Sequence, residues 1–549
     1  MNFHAWENEL LNDSDRSFIL DGLRHGFKLI PETDTSGIDS YANDNYSSAT
    51  CSEFKPEMDQ LFLKELALGR ISRVTNKPQC IHPIGRVTKK DSGKSRPITD
   101  CSRPHGSSLN DYIKRDLETF RMNSIDTAVS VSTSNCFYAI VDIESAWHWV
   151  PVFPPHRQLQ GFRWMFGQHD PSRYQYFVDN RLCFGVSCAP AIFNRLSNAI
   201  VRMMARRGFH SVVNYLDDFL IIGNTHAECQ QGLITLLRLL HSLGFNVSWK
   251  KVISPSQRVT FLGIELDSTT MSLRLPSDKL DHLNTLVTSF SNKVSASKRQ
   301  LQSLAGSLNF ACHVVHGGRT FLRRVIDCIN KLKLPSHRSR LSTQFRADLL
   351  WWKTFLVTFN GRSMMLDFRQ PVYFQTDASF HGFGAVCSDD WFAGSWSDCL
   401  APDFRSSRFH NQHYSNAGHT IDPSLRSNIN YLELFPILIA VRRWGPRWLN
   451  KRVCVETDNT QTMAFINNGT CKNPIAMSWL REIFWISVRY NFHLRSRHLP
   501  GKLNQHADRL SRLQFPDDTN DLFSSYQNIS PSWTTAPSLS PPLPTLAPQ

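Results

Sequence analysis

A pair of adjacent aspartates between two apolar runs constrains this chain more than any other stretch. It reads Val212-Val213-Asn214-Tyr215-Leu216-Asp217-Asp218-Phe219-Leu220-Ile221-Ile222-Gly223. Short β-branched and aromatic runs read as strands, and the polar break between them reads as a hairpin turn. Two carboxylates at the tip of a buried hairpin repel and raise each other's pKa. An Asp-Asp turn of the ordinary kind is one reading. The other is a seat for a hard divalent cation, because Mg²⁺ is held by one or two carboxylates together with substrate phosphates. The rest of the chain decides between them.

The 549 residues suffice for several domains, and a net charge of +14 favours a polyanionic partner. No apolar run is long enough to span a bilayer and no N-terminal signal pattern is present, so no membrane partner is expected. The 13 cysteines are scattered, odd in number and never spaced Cys-x-x-Cys. A disulfide framework or zinc ribbon is therefore not expected, and a reducing compartment, cytoplasm or nucleus, is.

In chain order, Trp6, Leu10, Leu11, Phe18, Ile19, Leu20 and Leu23 form one apolar helical face, and Thr33 to Ser52 reads as a linker. A helix from Glu57 stops at Gly69. Asp91-Ser92-Gly93 then turns a hairpin crowded by Lys89, Lys90, Lys94 and Arg96. Such a flap suits a triphosphate, with Arg96 able to make paired hydrogen bonds to phosphate oxygens. The same triplet matches an aspartic-protease motif, but its flanks are basic rather than apolar. Next, the strand Phe137-Tyr138-Ala139-Ile140-Val141 runs straight into Asp142. A carboxylate ending a buried strand is costly unless paired or metal-bound. Cys183-Phe184-Gly185-Val186-Ser187-Cys188-Ala189-Pro190 leads into a helix over 191–204, with Gly185 suited to close approach of backbone to a ligand. A helix over 233–243 closes at Gly244, strands carry Lys250 and Lys251, and Phe261-Leu262-Gly263-Ile264-Glu265-Leu266 ends the unit.

The order Lys-Lys-Asp-Ser-Gly-Lys-Ser-Arg, first Asp, Phe-Gly-Val-Ser-Cys-Ala-Pro, Tyr-Leu-Asp-Asp, Phe-Leu-Gly resembles the successive motifs of retroelement reverse transcriptases, over Lys89 to Leu266. The resemblance implies that Asp142, Asp217 and Asp218 are catalytic carboxylates of a palm. It implies that Lys89 and Arg96 grip nucleotide phosphates, beside Gly185, and that Lys251 or Lys250 protonates departing pyrophosphate. Five residues after Asp142, where that family carries Tyr or Phe against a ribose 2′-hydroxyl, this chain has Trp147. The larger ring is expected to exclude ribonucleotides and to crowd the deoxyribose.

Beyond it lie a basic helical stretch from Leu275 to Lys333 and a connector carrying Trp351 and Trp352. An apolar strand then ends at Asp377, Glu433 lies at a helix start, and a further strand ends at Asp458. The segment His498-Leu499-Pro500-Gly501-Lys502-Leu503-Asn504-Gln505-His506-Ala507-Asp508-Arg509-Leu510-Ser511-Arg512 follows. This series resembles ribonuclease H over Pro371 to Leu513. The resemblance implies that Asp377, Glu433, Asp458 and Asp508 hold two Mg²⁺ ions, and that His498 helps product leave. Pro436, three residues after Glu433, requires the helix to start late or to kink. His410, His413 and His419 lack cysteines at zinc-site spacing and read as solvated. Six prolines after residue 530 mark a disordered tail.

Together these imply an α+β multidomain chain: a right-hand polymerase of fingers, palm and thumb, followed by an α/β ribonuclease H-like domain. The expected partition is an N-terminal helical and linker segment (1–56), fingers and palm (57–268), thumb (269–334), connection (335–370), the ribonuclease H-like domain (371–515) and the tail (516–549). The implied activities are RNA-directed DNA synthesis and cleavage of RNA in hybrids. Partners would be an RNA template, a DNA primer, the RNA–DNA hybrid and dNTPs, with two Mg²⁺ per active site and Mn²⁺ as a substitute. Residues 2–27 and Ile429-Asn430-Tyr431-Leu432-Glu433-Leu434 further resemble DIRS-like retrotransposons, which implies a separately encoded tyrosine recombinase. A gypsy-like or pararetroviral polymerase, and a captured inactive copy that only binds nucleic acid, are the alternatives.

Overall fold

The computed structural model describes residues 1–88, 93, 95–113, 120–167, 173–315, 317–358, 362–363, 371–388, 390–396 and 428–512. The chain is mixed α and β and divides into two compact units, between Ser272 and Leu273.

In the first unit two hairpins matter. The basic one pairs β1 (Ile84–Thr88) with β2 (Ser95–Thr99). Lys89, Lys90, Asp91, Ser92 and Lys94 of its turn lie outside the described residues. The central sheet contains β3 (Phe137–Asp142), β4 (Val212–Tyr215), β5 (Asp218–Gly223) and β6 (Ile253–Ser256), ordered β6-β3-β5-β4 and antiparallel throughout. Strand β3 is buried along nearly its whole length, as its unbroken apolar run demands. One face of the sheet presents Ala139, Val141, Phe219 and Ile221 to a core shared with two helices, α3 (Ala189–Arg206) and α4 (His226–Ser242). Pro190 stands in the first turn of α3. Helix α4 begins seven residues before the expected start, because the Thr225 hydroxyl accepts from the Glu228 amide and caps it.

The N-terminal residues join this same core. Helices α1 (Phe3–Glu9) and α2 (Arg16–His25) bury Trp6, Leu10 and Ile19 in it. Between residues 33 and 52, Tyr41–Ala42 runs parallel to Cys80–His82 at the edge of a separate five-stranded sheet, and a helical turn at Ser47–Thr50 buries Ala49. Trp249–Lys251 is a single 3₁₀ turn rather than the expected strand. The Ser248 amide donates to the Asp142 carbonyl and the Lys251 amide donates to the Ser248 carbonyl, which closes the turn.

The second unit opens with helices over Ser277–Asn292, Lys298–Ala311, Arg323–Asn330 and Thr343–Thr358. Trp351 stacks on Phe321 at 3.9 Å. A five-stranded sheet follows. Strands β7 (Val372–Ala378), β8 (Gly382–Cys387) and β9 (Asp390–Ser395) form an antiparallel meander. Strand β10 (Arg452–Thr457) then pairs parallel to β7, and β11 (His493–His498) pairs parallel to β10. The spatial order is β9-β8-β7-β10-β11. Helices α5 (Ile429–Leu432), α6 (Leu434–Trp444), α7 (Thr460–Asn468), α8 (Pro474–Arg489) and α9 (Gln505–Ser511) accompany it. Pro436 is accommodated by a break: α5 ends before Glu433 and α6 restarts after it, which leaves Pro436 in a first turn. His410, His413, His419 and the tail lie outside the described residues. Among the described residues, no helix is long and apolar enough to cross a membrane.

Candidate functional sites

The first site is built by strand register. Asp142 ends β3, Asp218 begins β5, and the two are Cα partners in the antiparallel ladder. Asp217 occupies the turn between β4 and β5, where its carbonyl accepts from the Ile143 amide at 3.1 Å. Leu216 turns the chain with a φ of 54°. Three carboxylates thus meet at one end of a buried sheet. Burial, reinforced by Asp142, holds Asp217 above the ordinary carboxylate range. Burial, Asp217 and a hydrogen bond with Asp142 push Asp218 up to about 7. Lys251 Nζ lies 2.8 Å from Asp142 Oδ1. Burial pulls that ammonium down, but its bond to Asp142 and the nearby Asp218 and Asp217 leave it above the ordinary lysine value. The structure thereby separates Lys251 from Lys250.

The residues expected at the nucleotide fall into three cases. Lys89 lies outside the described residues. Arg96 is exposed on β2, its guanidinium 4.9 Å over the Phe184 ring, and its charge acts on Asp217. Trp147, in a 3₁₀ turn over Ala146–Trp149, meets Phe184 at 6.2 Å and Phe193 at 5.5 Å. Gly185 makes a close backbone approach within the chain. Its φ is 130°, and a Cβ there would stand 1.8 Å from the Thr99 carbonyl oxygen. The close approach in the structure is to the chain's own β2. Phe184 was not foreseen as a residue of the site; only its place in the Phe-Gly-Val motif hinted at it.

The second site gathers Asp377 at the end of β7, Glu433 at the helix break and Asp458 after β10. One ligand oxygen from each lies within 4.8 Å of the others. Asp377 and Glu433 are buried and Asp458 is exposed. Burial is the largest influence on Asp377, which stands at about 6, with Asp458 and Asp508 adding to it. Burial, then Asp377 and Asp458, drive Glu433 well above the ordinary range. Glu433 Oε2 is a buried oxygen with no hydrogen-bond partner. An orphaned carboxylate oxygen facing two more carboxylates suits a hard divalent cation, which would satisfy all three. Asp508 is near enough to act on Asp377, but its Oδ1 accepts from Arg512 Nε and Nη2 at 2.9 and 2.8 Å. His498 ends β11, exposed, opposite Thr457 beside Asp458.

Residues 87–266 match the family model of reverse transcriptase (RNA-dependent DNA polymerase). That stretch is a reverse transcriptase domain of the kind found in retroelement and viral polyproteins. Polyprotein P3 of Commelina yellow mottle virus is 23% identical over 448 residues, which cover 80% of this chain and 21% of that polyprotein. An enzymatic polyprotein of Cassava vein mosaic virus is 22% identical over 486 residues, covering 86% of this chain and 66% of the relative. The chain therefore spans only part of the length of these relatives. A foamy viral protease-reverse transcriptase, solved in complex with double-stranded DNA, shares the fold with a TM-score of 0.50 at 15% identity, covering 90% of this chain and 97% of that one.

Proposed function

We propose that this chain is an RNA-directed DNA polymerase of a retroelement, with a linked ribonuclease H that degrades RNA in RNA–DNA hybrids. The register that sets Asp142 against Asp218, with Asp217 in the adjoining turn, carries the reading. Asp142 and the distant pair Asp217-Asp218 converge on one sheet end, inside a stretch that matches the polymerase family. At each site Mg²⁺, or Mn²⁺ in its place, would activate an attacking oxygen and stabilise a leaving one. Asp142, Asp217 and Asp218 would hold it in the first unit. Asp377, Glu433 and Asp458, joined by Asp508, would hold it in the second.

The chain's own residues supply the rest. Arg96 offers a planar pair of donors to triphosphate oxygens. Trp147 borders the sugar, and Lys251 holds a proton beside the reacting phosphate. The order of strands and the acids at the sheet's end support a ribonuclease H-like second unit, with His498 beside it. Template, primer, hybrid and dNTPs are the partners this predicts, and the net charge of +14 suits a phosphate backbone. The narrower assignment to DIRS-like elements, with their separate tyrosine recombinase, rests on residues 2–27 and 429–434. The domain limits drawn from the sequence, and a site of action in cytoplasm or nucleus, belong to the same proposal.

Primer extension on poly(rA)–oligo(dT) with Mg²⁺ tests it. Asp217→Asn with Asp218→Asn should abolish synthesis and spare hybrid cleavage, and Asp377→Asn should do the reverse. Salt-sensitive binding without extension would instead mark a protein that only binds nucleic acid.

A further inference from the structure

An unbroken series of aromatic rings runs from the N-terminal helix to the candidate nucleotide site. Trp6 of α1 is fully buried and meets Phe245 edge-on at 6.1 Å. Phe245 meets Phe193 at 6.4 Å, and Phe193 meets Trp147 at 5.5 Å. Trp149, two residues from Trp147 in the same 3₁₀ turn, also meets Phe245, at 6.5 Å. Trp147 then touches Phe184, which carries the Arg96 guanidinium on its ring.

The N-terminal residues fasten both supports of this series. The Asn2 amide donates to the Leu243 carbonyl at 2.9 Å. Gly244, with a φ of 86°, packs so tightly there that a Cβ would lie 2.8 Å from the Asn2 nitrogen. The turn bearing Phe245 is thus laid against the chain's first residues. On α3, which bears Phe193, Arg202 pairs with Asp13 and Asp15 at 2.6 and 2.8 Å, and Arg195 pairs with Asp15. Asp13 has no exposed side chain.

We propose that Trp6 is a positioning residue for nucleotide selection: through Phe245 and Phe193 it fixes the ring of Trp147, so residues 1–26 are a working part of the nucleotide pocket. The inference rests on the polymerase reading and on Trp147 bordering the sugar. Interiors are close-packed and ring positions interlock, so a void at Trp6 is felt at the next ring. Plain core burial would instead cost stability and leave selectivity where it was.

The test compares kcat/KM for a dNTP and the matching rNTP on poly(rA)–oligo(dT) or its mixed-sequence equivalent, with a melting curve for each variant. Trp6→Leu should lower the dNTP preference roughly fivefold or more, chiefly through KM, because a small displacement of a positioning group is amplified at the reacting centre. Trp6→Phe should recover most of it. Trp147→Ala should lower it further. An unchanged preference in folded Trp6→Leu, with a changed one in Trp147→Ala, overturns the inference and leaves the polymerase reading standing. Should Trp6→Leu not fold, Asp15→Ala, which loosens α2 from α3, decides by the same ratio: a fall supports the inference and no change overturns it. Absence of extension by the unaltered protein overturns both.

Discussion

Lys251 Nζ and Asp142 Oδ1 stand 2.8 Å apart, at the point where Asp142 is also the ladder partner of Asp218. A flexible cation therefore sits among three carboxylates, two of which, Asp217 and Asp218, burial has made reluctant to ionise. It reaches them from a solvent-facing 3₁₀ turn, with its side chain 64% exposed, so it is free to swing toward a substrate phosphate.

Lys251→Ala is expected to lower kcat for primer extension by roughly 10²-fold, the scale of a lost general acid, with little change in the KM for dNTP. Lys250→Ala, whose ammonium makes no ion pair among the described residues, should stay close to the unaltered protein. Single-turnover kinetics with saturating dNTP check this. Equal losses for both lysines would point to general charge on the nucleic acid rather than to one proton donor.

The metal-free protein should lose stability as pH rises from about 4 toward about 7. Asp218 at about 7 and Asp377 at about 6 hold protons in the folded chain that the unfolded chain has already released. Their contribution is present below the unfolded carboxylate pKa and is lost as pH climbs through the folded values. Asp218→Asn removes one member of the repelling set. In chelator it should raise stability near pH 7.5 by about 1–2 kcal/mol, after discounting for partial exposure, and change little near pH 4. Urea unfolding at the two pH values, followed on the first unit's signals, measures the difference.

The carboxylates were legible because a buried strand that ends in Asp is a costly arrangement. Asp142, Asp377 and Asp458 announce themselves that way, and the twin acids do so at a hairpin. Pro436 likewise signalled the break that places Glu433. What stayed hidden depends on contacts between distant residues. Nothing around Ser248 in the sequence shows that its amide donates to Asp142, so the lysine-bearing turn read as a strand. Trp6 looked like one residue on an amphipathic face; that it meets Phe245 emerges only when the chain closes on itself. The Asp508–Arg512 pair is four residues apart on one helix and could have been read from spacing.

Two glycines should respond in opposite directions to alanine. Gly185→Ala places a Cβ where the Thr99 oxygen stands, at a backbone angle that side chains rarely adopt. A loss of about 2–4 kcal/mol is expected, together with a displaced β2 and a raised KM for dNTP through Arg96. Gly306 lies within the Lys298–Ala311 helix with open space around its α-carbon. Gly306→Ala should stabilise by about 0.5–1 kcal/mol by removing a poor helix former. Denaturant midpoints for the pair give the sign of each.

Glu433 offers the sharpest contrast between metal-free and metal-bound behaviour. Its Oε2 is buried without a partner, and Asp377 and Asp458 face it. Glu433→Gln replaces a buried acid whose ionisation burial opposes with a neutral amide that can donate to either neighbour. In chelator the variant should therefore be more stable than the unaltered protein, by about 1–3 kcal/mol. The same change removes an anionic ligand, so affinity for Mn²⁺ should fall at least about tenfold. Calorimetric titration of Mn²⁺ into protein carrying Asp217→Asn and Asp218→Asn isolates the second cluster. Retained affinity in the Glu433→Gln background would remove Glu433 from the ligand set and leave the three-carboxylate cluster as an electrostatic burden with no metal to relieve it.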